Sequence, residues 1–167
     1  MNSHQVSVAA ESYTATLFAW AGFDISVQYG ANQPEYDLVV VCGEKMLKVS
    51  VKGSKDGGWG LTQSHKKDKS YSEAIDLWVN KHTGNTVVSL VQLKGVDLEK
   101  GQSPKVYLAT PKEIGEHMKQ SRAGHGNTIL RVKHTWNSGV AKGQTDQIPI
   151  EWEFSKKRIQ ELIANIL

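Results

Sequence analysis

A single cysteine, only four prolines and no apolar run long enough to cross a bilayer set the first limits on this 167-residue chain. Lone Cys42 excludes an intramolecular disulfide framework and suits a reducing compartment. Nothing approaches the ~20 apolar residues of a membrane span, and the start lacks the charged and apolar regions of a signal peptide. The expectation is a cytoplasmic protein with no membrane partner. Six histidines show neither HExxH pairing nor cysteine partners, so zinc is not expected. Charge of one sign is also scarce overall: a net +3 does not demand a polyanionic partner. Repeats, low-complexity tracts and linkers are absent, and 39% apolar content over this length suffices for one domain with a real core.

Periodicity organises what is present. Val6, Ala10, Tyr13, Leu17 and Trp20 recur every three or four residues, which predicts a helix over about 7–21 ending at Gly22. A short strand over 23–28 and a loop, "YGANQPEY", precede a hairpin, "YDLVVVCGEKMLKVSVKGS". Ser70 with Glu73 opens a helix ending by Gly84, and Thr110, Pro111 and Glu113 open another. Strands are expected at 86–93, 105–110 and 127–136, and a closing helix after Ser155 whose apolar stripe packs onto its own sheet. This order predicts a mixed sheet with helices packed on it, of α/β or α+β type.

Gly43-Glu44 suits a two-residue turn with glycine first, which makes paired residue numbers across the hairpin sum to 87. Asp37 then lies opposite Ser50, on the face that Ser50 shares with Lys52. A sum of 88 would move Asp37 to the Val51 side and dissolve the cluster. Glu11, polar at the margin of the first helix's apolar stripe, is a carboxylate in need of a partner or a metal.

With these residues the chain resembles the PD-(D/E)XK nuclease superfamily, most closely its Holliday-junction-resolvase-like branch. Glu11 matches the helix acid, Asp37 in "PEYD" the acid at the start of the second strand, and Lys52 in "SVK" the lysine. Ser50 stands where the third acid belongs, and the proline lies three residues before Asp37 instead of beside it. The resemblance covers about residues 5–93 and has no counterpart for about 96–167. It implies one restriction-endonuclease-like domain over 1–167, a catalytic set of Glu11, Asp37, Ser50 and Lys52, and Glu11 and Asp37 holding Mg²⁺, or Mn²⁺ in its place. It further implies phosphodiester hydrolysis on nucleic acid, DNA ahead of RNA, and a homodimer. Loss of one acid weakens such a metal shell, so the alternative is a catalytically inactive nucleic-acid-binding or partner-binding module on the same scaffold.

Seven lysines fall within residues 45–69 against Asp56 and Asp68, beside the hairpin. Lys55, Lys66, Lys67 and Lys69, with Gln63, are therefore candidate nucleic-acid contacts, the alternative being a solvated face. Trp59 either stacks on a base or anchors its loop. Asp56 or Gln63 could fold back to replace the missing acid. The loop "GSKDGGWG" invites a phosphate-cradle reading but has Trp59 and Gly60 where a P-loop needs Lys and Ser or Thr. Arg122 and His125 in "SRAGHGN" are weaker phosphate candidates.

Overall fold

The structure is a computed structural model that describes residues 1–28 and 35–166. Helix α1 (Ser3–Trp20) begins ahead of the periodic pattern because Asn2 and Gln5 cap each other, Gln5 N–H donating to Asn2 Oδ1 at 2.9 Å and Asn2 N–H to Gln5 Oε1 at 2.8 Å. Its buried residues are Val6, Ala10, Thr14, Ala15 and Phe18. The expected stripe is thus rotated: Tyr13 and Leu17 flank the core, while Trp20 is 81% exposed. Thr14 can sit inside because its hydroxyl pairs with that of Ser89 at 2.9 Å.

Strands β1 (Asp24–Val27), β2 (Leu38–Cys42) and β3 (Lys45–Ser54) form an antiparallel meander. Gly43 adopts φ +66°, which the turn requires and a Cβ would oppose. Pairs run from Cys42↔Lys45 to Leu38↔Val49, the register sum of 87 that the turn predicts. The loop expected over 29–34 lies outside the described residues.

Among the elements that escaped sequence reading are a short strand β4 (Gly58–Trp59) and a one-turn helix α2 (Gln63–Lys66). Helix α3 (Tyr71–Asn80) carries the Ser70/Glu73 capping box and provides the crossover that lets β5 (Thr86–Gln92) run parallel to β3. Strand β6 (Lys105–Ala109) pairs antiparallel with β5, completing a sheet ordered β1-β2-β3-β5-β6 among the described residues. Helix α4 (Pro111–Gln120) has the expected Thr110/Glu113 box. The stretch expected as one strand over 127–136 is two, because it changes partner at Val132, whose carbonyl accepts the Ile148 N–H at 3.0 Å. β7 (Leu130–Arg131) pairs with β4, and β8 (Lys133–Thr135) with β9 (Thr145–Gln147). Helix α5 (Lys156–Ile166) closes the fold, its Arg158 N–H donating to Ser155 Oγ at 3.0 Å.

Both faces of the sheet are covered. On one, Leu47, Val49, Val51, Val87 and Val91 pack against Phe18 of α1 and Ile159 and Leu162 of α5. On the other, Val88 and Leu90 meet Ile75 and Trp78 of α3 and Ile114 and Met118 of α4, and this core extends to Trp59, Leu130 and Trp152. β5 is consequently buried almost throughout, as a strand covered on two faces must be. Arg158, 6% exposed, ties α5 to α4: Nε donates to the Leu108 carbonyl at 3.0 Å and Nη2 to both Glu113 carboxylate oxygens at 2.8 Å. The architecture is mixed α and β, and among the described residues no helix is long and apolar enough to cross a membrane.

Candidate functional site

The approach of α1 to β3 is set by one missing side chain. A Cβ on Gly53 would stand 2.8 Å from Val6 Cγ1 and 3.0 Å from both Ala10 Cβ and the Val6 carbonyl oxygen. Glycine lets the helix lie directly on the strand, and Glu11, one residue past Ala10, is thereby carried to the hairpin end. Glu11, Asp37 and Lys52 line one cavity of about 520 Å³, with the buried Trp59 and Trp78 at its margin. Burial pushes the Glu11 carboxyl above its ordinary value, the Asp37 charge adds to the rise, and Lys52 and His4 oppose it.

Asp37 is held by backbone. The β2–β3 ladder ends at Leu38↔Val49. One residue beyond, the Asp37 N–H donates to the Val49 carbonyl at 2.9 Å, and Asp37 Oδ2 accepts the Val51 N–H at 2.6 Å. Asp37 is therefore not a regular ladder partner of Ser50, as the hairpin register alone suggests; it turns in to cap the strand edge. Ser50 is 1% exposed and shares a smaller cavity, about 160 Å³, with Asp37, Lys52, Lys81 and His82. Among the described residues no hydrogen bond or ion pair engages the Glu11 carboxylate, the second Asp37 oxygen or Lys52 Nζ. No group of three or more His, Cys, Asp or Glu side chains there is placed to hold a metal. The oxygen donors at the larger cavity that suit a hard cation are the two carboxylates.

The basic loop is more committed than its sequence suggests. Trp59 is 3% exposed and its Nε1–H donates to the Lys52 carbonyl at 2.8 Å, so it anchors the loop to β3 and has no free face for a base. The stacking expectation is corrected by that burial. Lys66 Nζ donates to the Lys69 carbonyl at 2.5 Å and lies 4.9 Å over the Tyr71 ring. Lys55 Nζ donates to the Met1 carbonyl at 3.0 Å, and Lys69 Nζ is 3.6 Å from Asp68. Lys67 is exposed, at φ 28°. Asp56 accepts Ser54 Oγ–H at 3.0 Å and the Gly58 N–H at 3.1 Å; those bonds hold its carboxyl below the ordinary value. Gly57 N–H goes to Ser54 Oγ at 3.0 Å, so the amides of Gly57 and Gly58 serve the loop itself. Asp56 and Gln63 line a different cavity, which has Gly58 and Gly60 in common with the acid one. Arg122 is stacked 4.6 Å from the Tyr71 ring, whereas His125 is exposed.

Sequence reading missed Lys81, His82 and His65. Lys81 follows α3 and is 3.7 Å from Glu35, and His82 Nδ1–H donates to the Trp78 carbonyl at 2.9 Å. Burial pushes the His82 imidazole below its ordinary value. Only tertiary packing brings these residues to the hairpin; their local sequence carries no motif. No protein-family model matches the chain, and comparison with curated proteins yields no match.

Proposed function

We propose that this chain is a divergent metal-dependent nuclease-like protein, hydrolysing nucleic-acid phosphodiesters at the cavity of Glu11, Asp37 and Lys52 with a weakened Mg²⁺ shell. The observation that carries this reading is the convergence of two carboxylates and a lysine, from three separate parts of the chain, with none of them paired to another. A purely structural cluster of these charges would be expected to close into ion pairs. The element order supports the same reading: a helix, three antiparallel strands, a helix and a strand parallel to the third is the core implied by the restriction-endonuclease-like resemblance.

Mg²⁺ fits this donor set, because it takes hard oxygens, needs as few as one or two carboxylates and keeps several waters. When bound, such an ion supplies an activated water and cover for charge on the phosphate. The chain's own residues divide the remaining work. Lys52 offers an unpaired positive charge to a phosphate oxygen. Asp37 is oriented by the Val51 N–H. Glu11 is a carboxylate whose charge is disfavoured by burial and by Asp37, a cost that a bound cation would offset.

A second reading, a nucleic-acid-binding module without catalysis, is favoured by one observation: Ser50, the residue that stands where the resemblance implies a third acid, is a buried neutral side chain beside Asp37 and Lys52. Cleavage and binding measured together separate the two. The full chain is incubated with single-stranded, duplex and branched DNA in Mg²⁺, Mn²⁺ or chelator. Cleavage abolished by chelator supports the nuclease. Salt-sensitive binding without cleavage supports the module, and absence of both overturns both readings.

A further inference from the structure

The cavity across the Gly58 and Gly60 wall, about 560 Å³, differs in character from the acid one. Lys94, Arg131 and Lys133 line it, with His134 beside them. None of these stands in the lysine-rich loop; they arrive from the turn after β5 and from β7 and β8. The β4–β7 pairing, Gly58↔Arg131, places them at the glycine wall. Among the described residues no ion pair or side-chain hydrogen bond engages Arg131 or Lys133. Asp56 is the acid lining this cavity, its carboxyl held by the Gly58 N–H and Ser54 Oγ–H and further lowered by the Lys94 charge. Three fixed cations against that one carboxylate leave the cavity positive.

Arg131 is only partly exposed, and a guanidinium drawn from water without a partner is costly unless an anion completes it. Two glycines that line the cavity are held as glycine by the loop itself: Gly57 sits at φ +94°, and a Cβ on Gly58 would meet Ile129 Cγ2 at 3.1 Å. A cavity of this size lies within the range of ligand sites, and an arginine fork with lysines is suited to phosphate.

We propose that this cavity is a phosphate subsite, seating a backbone phosphodiester of the same nucleic-acid strand that the acid cavity handles, further along it and over the Gly58 and Gly60 wall. The inference rests on the nucleic-acid reading of the acid cavity. Its test is the affinity of the full chain for a labelled DNA duplex and for the matching single strand, in chelator, across a salt series. Arg131→Gln/Lys133→Gln should bind several-fold more weakly at low salt. Its slope of log affinity against log salt should be shallower by about 1–2, because fewer counterions are released. Lys94→Glu, on a turn outside the strands, should weaken binding in the same direction and serves if the double variant melts early. Wild-type affinity and slope in both variants would overturn the subsite while leaving the acid-cavity reading in place. No binding of either DNA by the wild-type chain removes the nucleic-acid reading, and the subsite with it. Saturable binding of inorganic phosphate that leaves DNA affinity untouched reassigns the cavity to a free anion and equally overturns the proposal.

Discussion

Gly53→Ala tests how the acid cavity is built. The new methyl would lie 2.8 Å from Val6 Cγ1, which can rotate away, but also 3.0 Å from Ala10 Cβ and the Val6 carbonyl oxygen, which are fixed to α1. The helix must therefore retreat. Overpacking of this kind costs about 1–3 kcal/mol, and alanine recovers about 0.5–1 kcal/mol over glycine within a strand. The difference spans roughly 0–2.5 kcal/mol, centred near 1, which lowers the melting temperature by ~2–4 °C for a chain of this size. Thermal unfolding followed by circular dichroism measures that loss. A second readout is local: as α1 retreats, Glu11 gains water and distance from Asp37, so its carboxyl should titrate closer to the ordinary glutamate value of 4.5 in an NMR pH series. An unchanged or higher melting temperature together with an unmoved Glu11 titration would refute the claim that this contact sets the site.

Glu11 makes a pH prediction of unusual sign for a carboxylate. Its folded value is raised, so the native state keeps the proton to higher pH than the unfolded chain, and stability falls as pH rises from about 4.5 through the raised value. Glu11→Gln should flatten that fall in urea midpoints taken across the window, and Mg²⁺ should draw the Glu11 titration of the wild type downward. Ser50→Glu should add a carboxylate beside Asp37, raise Mg²⁺ affinity by calorimetry and increase chelator-sensitive cleavage, and Asp37→Ala should abolish that gain. Asp56→Ala should leave the Mg²⁺ response as it is, because Asp56 lines the other cavity; loss of cleavage on that change would make it the replacement ligand. Glu113→Ala removes the two short bonds to the buried Arg158 guanidinium but leaves it the Leu108 carbonyl and Glu161 at 3.8 Å, and should cost about 1.5–3 kcal/mol by urea denaturation.

What the sequence disclosed was what local chemistry dictates. Ser70 with Glu73 and Thr110 with Glu113 announce helices because each satisfies amides within one turn, and Gly43 sets a register that carries across five pairs. Where a residue's environment comes from far along the chain, sequence reading was blind. Trp20 fits the helical period yet faces solvent, and Thr14 is inside because Ser89 answers it. Residues 127–136 look continuous, but β4 and β9 claim different halves. The candidate site divides in the same way. Glu11, Asp37 and Lys52 were nameable from type and element order, whereas Lys81, His82 and the basic cavity around Arg131 depend on packing alone.

The pairing of Gly58 and Trp59 with Arg131 and Leu130 also imposes a timetable on synthesis. Glu11, Asp37 and Lys52 leave the ribosome early, but the loop that walls both cavities has no partner strand until some 70 residues later. At ~5–20 residues per second that delay is roughly 4–14 s. Through it, the growing chain carries its acids and lysine beside a loop that still lacks its partner strand. Protease protection of residues 55–69 on arrested chains should accordingly appear only once residue 131 has emerged.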